Sequence, residues 1–248
     1  TFSLGGSYYL RQLLLTTAVV LWGARLSAYL LIRVLTTGKD DRFDKMDRGF
    51  SLKFAGFWVA QAIWVVTVFS PVMLVNATCD QDPPMGSLDV IGLMMFGIGF
   101  LIEIMADHQK FMFRLEETNQ GKHCDIGLWA YSRHPNYFGE ILLWWGIFTS
   151  CCPIIALNPW YCWAIVGPVL LTILILFASG IPILERKSDK TYGHSPAYKK
   201  WKAGTSPLIP LPRAFYSLVP PILKLIFFFE WPLYTRNEAA KGDYEPVK

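Results

Sequence analysis

Five apolar runs, near residues 9–36, 54–77, 86–106, 138–157 and 160–184, restrict this chain more than anything else in it. Each is as long, or nearly as long, as the roughly 20-residue helix that crosses about 30 Å of hydrocarbon. Hydrocarbon offers no water to satisfy peptide N–H and C=O groups, so only helices and closed barrels span it. None of the runs alternates with the two-residue period of a barrel strand, and no repeat unit recurs. The expected fold is therefore all-α, a polytopic transmembrane helix bundle with one span per run. Composition agrees: 17% of residues are charged and 53% hydrophobic, against about 25% charged in an ordinary soluble domain.

A sixth apolar stretch, 215–232, is interrupted by Pro220-Pro221 and carries Lys224 and Glu230 inside it. It reads as an interfacial or re-entrant helix in preference to a sixth crossing, the alternative. The polar tail beyond Tyr234 reads as loosely ordered. On this reading the chain divides into a transmembrane domain, 1–213, and a C-terminal extension, 214–248, that lies at the interface or docks a partner.

Charge is distributed by loop. Lys39, Arg42, Lys45, Arg48 and Lys53 separate the first two runs, and Lys110, Arg114, Lys122 and Arg133 separate the third and fourth. A third basic segment, 185–213, follows the fifth run, while loops 78–85 and 158–159 contain no Lys or Arg. By the positive-inside rule the basic loops face the cytoplasmic or matrix-like side, with the N-terminus outside. That pattern fits the endoplasmic reticulum, the mitochondrial inner membrane and a bacterial plasma membrane equally. A net charge of +4 spread over separate loops offers no basic face to nucleic acid. The five cysteines form no CxxC and no Cys/His ligand spacing, so no metal site is expected and the thiols read as packing residues. An Asn76-Ala77-Thr78 sequon falls on the expected outer side, where glycosylation would mark the secretory pathway.

Several polar residues sit where hydrocarbon is expected. Arg25, in LWGARLSAYLLIR, is too deep to snorkel and needs an acid or a ligand phosphate opposite it. Tyr29, four residues on, shares its face. Glu103 and Asp107, also four apart, repel unless a cation lies between them, and Arg114 stays on that face if the helix continues. The densest cluster is GLWAYSRHPNYFGEILLWWG, residues 127–146, in which Tyr131, Ser132, Arg133, His134, Pro135, Asn136 and Tyr137 run directly into an apolar helix. Pro135 suits that helix's first turn, and Tyr137, Glu140 and Trp144 recur on one of its faces. Helix-start chemistry accounts for Pro135, and interfacial preference for Trp129 and Trp145. Neither accounts for Arg133, His134, Asn136 and Glu140 together.

YSRHPNYFGE, preceded by NQGKHCDIGLW and followed by SGIPILERK and YGHSPAYKKWKAGTSPLIP, resembles the steroid 5α-reductase-like integral membrane family, over roughly residues 10–213. It is most similar to the branch with a GLWxYSRHPNYFGE signature. A shorter RHPxYxG core is shared with isoprenylcysteine and phospholipid methyltransferases. The resemblance implies NADPH held by the C-terminal helices and their cytoplasmic loops without a Rossmann fold. Consistent with that, no GxGxxG lies between a strand and a helix, and Gly97-Ile98-Gly99 is mid-membrane. The resemblance assigns cofactor contacts to Asp107 and Arg114, to Tyr131, Arg133, Asn136, Glu140 and Trp144, and to Glu185 and Tyr198 near the last basic segment. Arg25 and Tyr29 resemble an Arg-xxx-Tyr pair on an earlier helix of the reductases. Arg114, Lys122, Arg133 and His134 are available to the phosphates, with Tyr137 beside them in the signature.

Two departures bear on chemistry. Trp22 stands where the steroid reductases place a substrate-activating tyrosine, and the earlier helix that supplies that tyrosine's glutamate partner does not precede residue 9. No residue is assigned a catalytic role. The expected function is NADPH-dependent reduction of a lipid-soluble, steroid- or enone-like double bond by an integral membrane oxidoreductase. Two alternatives use the same fold. One is an S-adenosylmethionine-dependent methyltransferase acting on a lipid or prenylcysteine. The other is an accessory or structural subunit of a larger membrane complex, docked through 214–248. The expected partners are membrane lipids, a lipophilic small-molecule substrate and, for the last reading, other membrane subunits.

Overall fold

The computed structural model describes residues 9–37, 52–78 and 82–234. Among them there is no strand, and five helical stretches are long and apolar enough to cross a membrane. The protein is an all-α, multi-pass membrane bundle. The first four stretches are α1 (Leu10–Thr37), α2 (Leu52–Ala77), α3 (Ser87–Leu115) and α4 (Pro135–Ile155). The fifth is composite. A 3-10 turn, Pro159–Ile165, leads into α5 (Val166–Ile173), a π turn at Leu174–Ala178 and α6 (Ile181–Tyr192). Helices α7 (Pro196–Ala203), α8 (Arg213–Leu218) and α9 (Pro221–Phe227) follow, with a last 3-10 turn at Pro232–Tyr234.

The apolar stretch 215–232 thus breaks at its prolines into helices too short to cross, and it adds no sixth span among the described residues. Helix α3 runs on to Leu115, past the expected end at 106, so Asp107 and Arg114 share one helix. Residues Lys39, Arg42, Lys45 and Arg48 and the tail beyond Tyr234 lie outside the described residues.

The chain forms two compact units, Thr1–Glu103 with Gly139–Thr172, and Ile104–Phe138 with Ile173–Lys248. In the first, α3 and α4 meet backbone to backbone. Gly92 and Gly99 on α3 are seven residues apart, as are Gly139 and Gly146 on α4. Seven residues is close to two turns, so each pair lies on one face. A Cβ added to Gly99 would stand 2.6 Å from the carbonyl oxygen of Gly139, and one added to Gly146 would stand 2.6 Å from that of Gly92. Lipid provides no hydrophobic drive between helices, so close approach through small residues supplies the dispersion and Cα–H···O contacts instead. Trp22 of α1, Phe69 of α2 and Trp144 of α4 pack as an aromatic core, with the Trp144 ring 5.1 Å from each of the other two.

Buried ion pairs tie α1 to α3 in the same unit. The Arg11 Nε and Nη2 atoms donate to the two oxygens of Asp89 at 2.7 and 3.0 Å, and Nη1 reaches Asp82. Gln12 Nε2 donates to the Val75 carbonyl at 3.1 Å, and Asn76 Nδ2 donates to Thr16 Oγ1 at 3.0 Å. Asn76 is therefore a buried helical residue with its amide committed, which removes the sequon as an accessible glycan acceptor. The mid-span Arg25 meets the acid it needs in Glu103, at 2.6 Å, with its guanidinium 5.7 Å from the Tyr29 ring centroid.

The glycine seam makes a position-specific prediction. Gly99→Ala and Gly139→Ala each press a methyl into backbone and are expected to lower stability by about 1–3 kcal/mol. Gly97→Ala, whose added Cβ meets nothing within 4 Å, is expected to be neutral. Thermal unfolding in detergent reads the difference, and an equal loss at Gly97 would contradict the seam.

Candidate functional site

The polar stretch that opens α4 lies in the second unit, where a frame of aromatic and backbone contacts fixes it. Trp129 Nε1 donates to the Ala106 carbonyl at 2.9 Å, and Trp201 Nε1 donates to the Trp129 carbonyl at 2.9 Å. Gly127 adopts φ 53°, a left-handed conformation suited to glycine, and the Gln109 side chain fills the space a Cβ would need, 2.5 Å away. Ser132 Oγ donates to the Leu208 carbonyl at 2.7 Å and accepts from the His134 N–H at 3.1 Å. The Arg133 N–H donates to the Ser206 carbonyl at 2.8 Å. The RHPN turn is thereby stapled to the segment after α7, and Pro135 begins α4 where its missing N–H costs nothing.

From this frame Arg133 and His134 converge on Glu185 of α6. Arg133 Nη1 donates to Glu185 Oε2 at 2.8 Å, and His134 Nε2 lies 2.8 Å from Oε1. Lys202 of α7 reaches the same carboxylate at 3.0 Å and Asp189 at 2.6 Å, and the Tyr198 hydroxyl donates to Asp189 at 2.8 Å. The far side of Arg133 belongs to Glu230, whose two oxygens accept from Nη2 at 2.6 and 2.5 Å. The Tyr216 hydroxyl of α8 donates to Glu230 as well, at 2.5 Å. With Arg133 1% and Glu185 2% exposed, each charge is buried and is offset by the other together with Glu230 and Lys202.

Burial opposes charge at both Arg133 and His134, with opposite outcomes. At Arg133 the attraction of Glu185 and Glu230 exceeds the burial penalty and holds the guanidinium above its ordinary value. At His134 burial prevails over the hydrogen bond to Glu185, so the imidazole is pushed below its ordinary 6.5 and is neutral at pH 7. A carboxylate can only accept, so Nε2 carries the proton and Nδ1 is an acceptor. Burial, reinforced by hydrogen bonds to Asp189 and Glu230, pushes the phenols of Tyr198 and Tyr216 up and keeps them donors.

Three residues of the RHPN turn each leave a buried polar atom with no hydrogen-bond partner among the described residues: Arg133 Nε, His134 Nδ1 and Asn136 Oδ1. Such atoms cost about 1–3 kcal/mol apiece when left unsatisfied, so a cluster of them in one turn calls for a ligand or water.

Of the residues expected at a cofactor site, Arg133, His134, Glu185 and Tyr198 are brought together here. Asn136 adjoins them, and the Tyr137 ring stacks on His134 with centroids 5.7 Å apart. Asp107, Arg114, Lys122 and Tyr131 belong to the same unit, Asp107 half-buried and the other three exposed. Arg25, Tyr29, Glu140 and Trp144 belong to the first unit, where Arg25 pairs with Glu103 and Trp144 is part of the aromatic core. The indole N–H groups of Trp22 and Trp144 are buried there with no hydrogen-bond partner among the described residues. Reading the sequence missed Lys202, Asp189, Tyr216 and Glu230. For Glu230 a signal existed, a carboxylate inside an apolar stretch, but nothing local named its partner.

The chain matches, over residues 1–205, the model of a family described as proteins of unknown function, DUF1295. It belongs to that family. No curated protein and no solved structure matches it significantly. The DUF1295 match includes the RHPN turn, Glu185, Tyr198 and Lys202, and it ends before Tyr216 and Glu230.

The histidines of this DUF1295 chain give its stability a pH dependence of known sign. Burial lowers both His134 and His123, the latter packed against Tyr198 and Trp201 and 4.0 Å from Asp125. Below their ordinary 6.5 the unfolded chain binds more protons than the folded one. Stability is therefore full above about pH 6.5 and falls as pH drops below it, by at most about 1.4 kcal/mol per pH unit for each histidine. Thermal unfolding between about pH 7.5 and about pH 5.5 should show a shallower slope for His134→Gln than for the parent. Identical slopes would mean that His134 takes up no extra proton on unfolding and is not lowered by burial.

Proposed function

We propose that this chain is an integral membrane oxidoreductase of the steroid 5α-reductase-like kind, which holds NADPH at the RHPN turn and reduces a lipid-soluble, enone-like double bond. The trio of buried atoms, Arg133 Nε, His134 Nδ1 and Asn136 Oδ1, carries this reading. It offers one donor and two acceptors, a set that suits a ligand rich in both, such as the carboxamide and ribose hydroxyls of a nicotinamide nucleotide. Exposed Arg114 and Lys122 in the same unit are cations for its phosphates.

Bound NADPH would supply the hydride. The part of the chain is to bind, orient and exclude water. Glu185 fixes the His134 tautomer, so the ring presents Nδ1 as an acceptor and no charge. The staples from Ser132 and Arg133 to Leu208 and Ser206 hold the turn in a single conformation.

A second reading rests on the carboxylates. Glu185, Asp189 and Glu230 outnumber the cations Arg133 and Lys202 in the network, and a surplus of negative charge suits the sulfonium of S-adenosylmethionine. Thermal shift of the detergent-purified protein with each cofactor decides between them. NADPH at about a hundred times its Kd is expected to add roughly 2.7 kcal/mol of stability, and S-adenosylmethionine none. A shift with S-adenosylmethionine alone would replace reduction with methyl transfer. No shift with either at millimolar concentration would sink both and favour a subunit role in a larger membrane assembly.

A further inference from the structure

The match to the family ends at residue 205, yet the hydrogen bonding of Arg133 is completed from beyond it. Its Nη2 grips both oxygens of Glu230, and Tyr216 adds a hydroxyl donor to one of them. A guanidinium N–H group with a hydroxyl beside it is a donor set that suits a two-oxygen anion, carboxylate or phosphate alike. Glu230 fills that set as a side chain of the protein itself.

The surroundings of Glu230 differ from those of Glu185. Its side chain is 30% exposed, against 3% for Glu185, so it approaches Arg133 from the open side of the network. Phe229, immediately before it, has φ 59°, a left-handed conformation disfavoured for any residue with a Cβ. The stretch that leads into it from Val219 is lightly anchored, while the chain beyond it is held. Helix α9 buries none of its residues and α8 buries only Tyr216. Beyond Glu230, Trp231 stacks on Phe177 at 4.6 Å and the Tyr234 hydroxyl donates to the Leu176 carbonyl at 2.9 Å.

We propose that Arg133 Nη2 and Tyr216 Oη form a subsite for a phosphate group of the ligand, that Glu230 is its internal stand-in, and that residues 219–230 are a displaceable strap over the RHPN site. The inference rests on the reading that this site takes a phosphate-bearing cofactor. Each bridging phosphate of a dinucleotide bears one negative charge, as Glu230 does, so the exchange leaves the charge of the network unchanged. The strap adds selectivity, since an incoming anion must outcompete a carboxylate already in place.

The test uses the full chain in detergent at fixed ionic strength, with inorganic pyrophosphate as the probe, read by isothermal titration. Glu230→Gln keeps the shape of the side chain and removes its charge, and it is expected to bind pyrophosphate about tenfold more tightly than the parent. Adding Tyr216→Phe should return the affinity towards that of the parent, which a purely structural role for Glu230 would not produce. Should Glu230→Gln fail to fold, Glu230→Asp withdraws the carboxylate by one methylene and should give a smaller gain of the same sign. Equal affinity in the parent and the Glu230 variants, or no pyrophosphate binding in any of them, would overturn the strap. NADPH is titrated in parallel. Pyrophosphate tightening without NADPH binding keeps the subsite and removes the dinucleotide reading, whereas NADPH binding indifferent to Glu230 keeps the dinucleotide and removes the strap.

Discussion

Taking a carboxylate such as Glu185 out of water costs several kcal/mol, and three chain segments meet in offsetting that cost. Arg133 and His134 arrive from the turn before α4, and Lys202 arrives from α7. The partners lie 52 and 51 residues from Glu185 along the chain, in the case of Arg133 and His134, so their meeting is a product of the fold and not of local structure. Asp189, four residues after Glu185 on the same face of α6, takes the rest of the Lys202 ammonium and the Tyr198 hydroxyl. One buried carboxylate thus sets the orientation of α6, the placement of α7 and the conformation of the RHPN turn. Each partner also depends on it, because without Glu185 an arginine as deep as Arg133 would keep only the more exposed Glu230 as a counter-ion.

The spanning helices are legible in the sequence because apolar length is a local property. Their ends are less so. Helix α3 continues to Leu115 and α6 to Tyr192, since a helix leaving lipid keeps its period while its hydropathy falls. The glycine seam is legible by halves. The seven-residue spacing of Gly92 with Gly99, and of Gly139 with Gly146, can be read on each helix separately, but it means close approach only once the two helices are known to face each other.

At the site the same division holds. Arg133, His134 and Asn136 stand out because three polar side chains in one turn have no local explanation, and Arg25 announces that it needs an acid without saying that Glu103 is the one. Partners far along the chain leave no such trace. Glu230 lies 97 residues from Arg133, and Asp89 lies 78 from Arg11, distances over which hydropathy and helical period carry no information about pairing. What the sequence does show in those cases is a charge in the wrong solvent. That marks a residue as paired without identifying its partner.

The network around Arg133 also constrains which ligands could use it. A tethered carboxylate competes with a free anion at an effective concentration in the millimolar range for a flexible linker. Glu230 is held more firmly than that, because Trp231 and Tyr234 are anchored on Phe177 and Leu176 just beyond it. A ligand offering only an anion would therefore lose the exchange at ordinary concentrations. One that also satisfies Arg133 Nε, His134 Nδ1 and Asn136 Oδ1 gains three buried hydrogen bonds. At about 1 kcal/mol each these amount to roughly a hundredfold in affinity, on the scale needed to shift the competition. On that arithmetic the unsatisfied atoms and the internal anion work together: the anion excludes simple phosphates, and the unsatisfied atoms favour a ligand that carries amide and hydroxyl groups beside its phosphate.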